Sequence, residues 1–245
     1  MKNFKLLLSI TYLLCFANIN AQWGSKTING NGNITTTTIQ TSNYDGVSVA
    51  GNFYVTLVQG KEGSITLKGE SNLLEEIVVE VKNGNLHIKP EDRVNLKPSR
   101  GMKIEITVPV EQISKVALAG SGEIKNAFDL KAESLSVKLA GSGSIKLNVT
   151  VGELEANIAG SGGIILNGRA SEIKGSISGS GSVDAYRLEA GNATISIAGS
   201  GDYNVNCTGE LKVRVSGSGN VNYKGKPDKI DTKVAGSGKI RSANK

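Results

Sequence analysis

Cysteine, histidine and aromatic side chains are scarce in this chain, and each scarcity removes a class of chemistry. There are 2 cysteines, Cys15 and Cys207, and Cys15 lies in an apolar leader. Without that leader Cys207 stands alone, which excludes an intramolecular disulfide and reads as a small buried hydrophobe rather than a nucleophile. His87 is the only histidine, so a histidine base or metal site has nothing to pair with. Aromatic residues make up 4% of the chain, and the basic residues are scattered rather than clustered. Nucleic-acid binding therefore has no footprint. No cofactor motif is found, and no apolar run reaches membrane-spanning length.

The leader itself is informative. Lys2 and Lys5 precede the apolar run Leu6 to Phe16, and small residues follow. This pattern predicts a signal peptide over residues 1–21, cleaved after Ala21 or after Ala17. Leu13 and Leu14 stand before Cys15, which argues against a lipid-modified cysteine. The expectation is an extracytoplasmic protein of about 224 residues in the periplasm, at the outer surface or secreted, its formal charge reduced from +6 to about +4 by loss of Lys2 and Lys5.

Glycine is abundant, and its placement sets the architecture. The tripeptide Gly-Ser-Gly occurs at Gly120-Ser121-Gly122, Gly141-Ser142-Gly143, Gly160-Ser161-Gly162, Gly179-Ser180-Gly181, Gly199-Ser200-Gly201, Gly217-Ser218-Gly219 and Gly236-Ser237-Gly238, at intervals of 21, 19, 19, 20, 18 and 19. Two residues before each stand Leu118, Leu139, Ile158, Ile177, Ile197, Val215 and Val234. Four residues after each first glycine stand Ile124, Ile145, Ile164, Val183, Tyr203, Val221 and Ile240. Mostly polar residues alternate with these, a period of two that belongs to strands with one buried face.

A fixed period of this size predicts an all-β stacked-coil fold, a single-stranded parallel β-helix with the tripeptide as a structural corner in every coil. At about 4.8 Å per coil, the seven corners span roughly 34 Å. Unequal coil lengths without a hexapeptide rhythm favour the right-handed form. A flexible Gly-Ser linker would not keep aliphatic residues at fixed offsets. The serines between the glycines are expected to bond turn backbone or their neighbours in the stack.

Upstream, residues 22–43 are a polar lead-in. Residues 44–110 read as an N-terminal β region with early coils and a cap, and 111–245 as the repeat region. Val47 to Leu57 resembles a degraded coil with Asn52-Phe53 in place of Ser-Gly. Ser71 to Ile77 is the one candidate helical turn, with Ser71 able to cap it. Asn83-Gly84 between apolar runs predicts a type I′ hairpin. Met102 to Val108 reads as a strand ended by Pro109. A solenoid exposes a strand edge and apolar interior at each end, so a non-repeating cap is required.

Taken together, Tyr44-Asp45-Gly46-Val47-Ser48-Val49-Ala50-Gly51, Leu73-Leu74-Glu75, Asn83-Gly84-Asn85-Leu86-His87-Ile88 and the Gly-Ser-Gly coils resemble the "putative auto-transporter adhesin, head GIN domain" family, a domain of unknown function. The resemblance covers roughly residues 44–238. It implies an exported, pectin-lyase-like right-handed β-helix with a role in cell adhesion. The transmembrane β-barrel of an autotransporter is not seen after the repeats.

Two functions are set against each other. An enzyme acting on polysaccharide needs two carboxylates at a defined separation. The positions three after each first glycine are Glu123, Ser144, Gly163, Ser182, Asp202, Asn220 and Lys239, with no acids in adjacent coils. Asp184 and Asp202 read as solvated surface acids. The favoured reading is a non-catalytic binding or adhesion module; the alternative is a carbohydrate-active enzyme of β-helix type. Positions five and three before the tripeptide carry Lys115, Lys138, Lys174, Lys212, Arg214 and Lys233 against Glu155 and Asp231. If these share one outward face, it suits an anionic surface polymer, although a solvated lysine-rich face that discourages aggregation explains it as simply. Surface polysaccharide or another envelope protein are the partners this leaves, together with a second copy at the open last coil.

Overall fold

The apolar columns flanking each corner all turn inward and stack. Leu118, Leu139, Ile158, Ile177, Ile197 and Val215 are buried, as are Ile124, Ile145, Ile164, Val183, Tyr203 and Val221. The computed structural model describes residues 25–244; the leader assigned to residues 1–21 lies outside the described residues. Parallel pairing in register then fixes the architecture as a β-solenoid. Residue 115 pairs with 136, 136 with 155, 155 with 174, 174 with 194, 194 with 212, and 212 with 231. The long strands Leu130–Gly141, Ser144–Gly160, Gly163–Gly179 and Ser182–Gly199 each follow the outline of a coil. Unequal coil lengths are absorbed locally, by register shifts between Ile165 and Asn167 and between Ala185 and Glu189.

The corner is built from main chain. The first glycine of each tripeptide has φ between +109 and +132, a region that L side chains rarely enter. The carbonyls of Gly120, Gly141, Gly160 and Gly199 each accept two amides from the next coil. Gly120 O receives Ser142 N–H at 3.0 Å and Gly143 N–H at 2.9 Å, and Gly141 O receives Ser161 and Gly162 in the same way. The second glycine faces inward as a socket. A Cβ on Gly143 would lie 2.8 Å from Leu118 Cδ2, and one on Gly162 would lie 2.7 Å from Leu139 Cδ2. The aliphatic residue of one coil thus fills the space left by the glycine of the next.

The serines depart from expectation. They are exposed, and among the described residues no hydrogen bond is found for any of their hydroxyls. Their amides hold the stack instead, which leaves the hydroxyls free in solvent.

At the N-terminal end the chain order and the spatial order differ. Strand Gly46–Ala50 pairs with Lys115–Ala119 on one edge and with Asn85–Ile88 on the other. Strand Tyr54–Gln59 pairs with 123–126 and with Glu105–Val110. The layer beneath the first coil is therefore made by later residues. Gly51 takes the corner conformation with φ +124, and Phe53, fully buried, fills the second-glycine place. Ile34–Gln40 and Ser64–Glu70 pair antiparallel over this end.

Asn83 and Gly84 have φ of 52 and 73 and join strands 77–82 and 85–90 as a hairpin. The helical turn is Ser71–Leu74, with Glu70 at the cap position and no side-chain cap bond. Ser71 is thus inside the turn rather than capping it, and its Oγ accepts from Asn31 Nδ2 at 2.9 Å. Pro109 does not end its strand, which runs to Val110. Antiparallel pairing with Ser64–Glu70 stops at Thr107, so the missing amide of Pro109 costs no ladder bond there. The Pro109 carbonyl accepts the Tyr44 hydroxyl.

Candidate functional site

The strand before each corner presents outward columns at every second residue, because side chains alternate across the sheet. Residues one before the corner are small: Ala119, Ala140, Ala159 and Ser178 are exposed. Residues three before it stack as Ala117, Lys138, Asn157, Ser176, Ser196, Arg214 and Lys233. Where the two columns run side by side over the N-terminal coils they enclose a groove of about 540 Å³. Its floor is alanine. Ser48 and His87 extend it onto the first coil and the layer beneath.

The six basic residues stand on the outward columns of this strand, and three of them are paired with acids. Lys174 Nζ sits 2.6 Å from Glu153 and 3.6 Å from Glu172, and these carboxylates raise its pKa. Lys138 is 3.8 Å from Glu155. The Ser136 hydroxyl, then the Asn157 amide, hold the Glu155 carboxyl below its usual range, with Lys138 and Lys174 adding to this. Arg214 donates to Asp231 Oδ2 at 2.6 Å and to the Asp231 carbonyl at 3.1 Å. Lys115, Lys212 and Lys233 take no part in any of these pairs.

Glu153 and Glu172 are register partners in adjacent coils, one column outside the positions from which the basic face is read. The sequence carried this signal at seven residues before the corner. These acids bracket Lys174 on the surface, so their charge is already answered. Asp184 and Asp202 are exposed and are not register partners, since Asp184 pairs with Asn204 and Asp202 with Ser182. His87 meets Asn85 Nδ2 at 2.9 Å. Cys207 is buried, and burial raises its thiol pKa. No group of three acids, histidines or cysteines among the described residues could hold a metal ion.

Over residues 43–227 the chain matches the family described as "Putative auto-transporter adhesin, head GIN domain", and it belongs to that family. No curated protein matches it. A crystal structure described as a "putative adhesin" from Bacteroides fragilis NCTC 9343 superposes with TM-score 0.81 at 23% identity, covering 88% of this chain and 99% of that one. A "putative lipid binding protein" from Parabacteroides distasonis ATCC 8503 gives TM-score 0.72 at 29% identity, covering 89% and 100%. A "putative adhesin" from Parabacteroides merdae ATCC 43184 gives 0.70 at 21%, covering 89% and 99%. These similarities fix the fold. Among the described residues no helix is long and apolar enough to cross a membrane.

Proposed function

We propose that this family member is an exported, non-catalytic binding module of the adhesin kind, and that its contact surface is the alanine-floored groove. The observation that carries the reading is the groove itself, about 540 Å³ of open, chiefly apolar surface along the stacked coils. Apolar concavities with a few polar groups at the margin are the usual form of a binding site. An extended ligand lying along the axis would meet one small residue about every 4.8 Å. The floor has no aromatic platform for sugar rings, which favours a ligand with an apolar stretch.

The carboxylates support binding over catalysis. Glu153, Glu155 and Glu172 are neutralised by neighbouring lysines, whereas hydrolysis needs one free acid and one free base. A lipid ligand is a second reading, favoured by the apolar floor and by the description of the Parabacteroides distasonis structure.

The test compares the wild-type chain with Ala140→Arg and Ala159→Arg for binding to bacterial-surface preparations and to phospholipid vesicles. Loss of binding with unchanged thermal stability is expected. Full binding by both variants would overturn the groove, and turnover in a broad polysaccharide screen would replace the reading with the enzyme. Retention of the native protein in the cytoplasm would remove the exported role.

A further inference from the structure

The two ends of the solenoid are finished differently. Antiparallel strands and the Ser71–Leu74 turn cover the N-terminal end. At the other end, Lys229–Ala235 pairs with 210–216 and Lys239–Ser242 with 220–223, and their outer edges meet no strand among the described residues. The interior is open there. Ile230 and Val234 stand in register with Leu211 and Val215, which are 0% and 4% exposed, yet are themselves 47% and 39% exposed. An apolar strand edge with unpaired amides and carbonyls is a template for another strand.

We propose that this edge is the interface of a two-fold homodimer, in which Lys229–Ala235 pairs antiparallel with itself around Thr232. The occupant follows from the sequence of the strand, Lys-Ile-Asp-Thr-Lys-Val-Ala. Centred on Thr232, the pairing sets Ile230 opposite Val234 on the interior side and Asp231 opposite Lys233 on the outer side. The two-fold axis repeats both pairs. Apolar meets apolar and acid meets base.

Centring on Ile230 or on Val234 leaves only three residues of the strand paired, and the two registers between them fail by the same test. Centring on Asp231 places Asp231 against itself and Lys229 against Lys233. Centring on Lys233 places Lys233 against itself. A shift by one residue sets interior side chains opposite outer ones, which a sheet with one buried face does not tolerate. Like charges directly opposite are destabilising. The axis needed is normal to the sheet, so both copies keep their interiors on the same side, and the closed symmetry leaves no growing edge.

Sedimentation of the full chain across a concentration series tests this, with Lys233→Asp, the swap Asp231→Lys/Lys233→Asp, and Thr232→Cys. The expected result is a dimer. Lys233→Asp sets two acid pairs face to face and should weaken it by about tenfold or more, with the circular dichroism of the wild type retained. The swap should recover most of the affinity. Oxidised Thr232→Cys should run as a covalent dimer, since its only other described thiol, Cys207, is buried. A monomer at every concentration would overturn the proposal. So would a dimer indifferent to Lys233→Asp, or one in which Thr232→Cys does not cross-link.

Discussion

The ring of Tyr203 occupies the space that a side chain on Gly175 would need. A Cβ built on Gly175 would overlap Cε2, Cζ and the hydroxyl of Tyr203. Tyr203 replaces the aliphatic residue of the other coils at its column and is fully buried. Its bulk is accommodated because the facing column shrinks from Val137 through Ala156 to Gly175, one residue per coil. Gly175→Ala is expected to destabilise by about 1–3 kcal/mol through overpacking. The Tyr203 hydroxyl has no hydrogen-bond partner among the described residues, and burial raises its pKa. Tyr203→Phe should therefore leave the melting temperature unchanged or raise it, since an unsatisfied buried hydroxyl carries a desolvation cost. A clear loss of stability in Tyr203→Phe would show that the hydroxyl is bonded.

The corner glycines give a sharper expectation. A Cβ on Gly160 would lie 2.5 Å from Gly141 O, and one on Gly179 the same distance from Gly160 O, with φ at +129 and +122. Gly160→Val or Gly179→Val combines backbone strain with overlap against the neighbouring coil. Each should cost about 3 kcal/mol or more, read as a fall in denaturation midpoint. Ser161→Ala and Ser180→Ala should be close to neutral, because only the serine amides serve the stack.

Acid should loosen the N-terminal cap first. Glu70 accepts from Ser99 Oγ at 2.6 Å, Ser99 N–H at 2.8 Å and Gly32 N–H at 2.6 Å. The Ser99 hydroxyl, then the Ser99 and Gly32 amides, hold its carboxyl below the usual range against an opposing effect of burial. A lowered folded-state value stabilises at pH above the unfolded value of about 4.3 and is lost as pH falls through the folded one. Glu70→Gln should lose about 1–3 kcal/mol at neutral pH and flatten the acid limb below about pH 4. An acid profile identical to wild type would exclude Glu70 as its source.

Arg214 straps the last coil through its contacts to the side chain and carbonyl of Asp231. Arg214→Ala should speed amide hydrogen exchange in residues 229–242 while exchange in residues 136–199 stays as in wild type. Uniform acceleration along the chain would contradict a local strap.

The corner and its columns were readable because one tripeptide recurs at nearly equal steps and Leu118, Ile124 and their counterparts keep fixed offsets. The parallel solenoid follows from those offsets alone. The cap was less readable, since the pairing of Gly46 with Asn85 and with Lys115 joins residues far apart in sequence, and no local pattern specifies such contacts. The acids that pair with the basic columns were not legible in the columns considered. Glu153 and Glu172 stand two residues outside the columns considered, and only the fold brings their carboxylates to Lys174. The groove had a local signal in Ala119, Ala140 and Ala159, small residues that recur one place before each corner.

The interleaved N-terminal end also constrains the order of assembly. The segment 46–59 is synthesised first but lies between layers made by 85–110 and by 115–126. As the chain emerges, strand 46–50 must wait about thirty residues beyond Gln59 for its first partner and strand 54–59 about fifty, and closing such loops carries an entropic cost. Coils from Leu130 onward can then add one by one on a finished template. The birth of the rod is a slow founding event followed by rapid templated growth, and chaperoning would matter chiefly before residue 126 has joined.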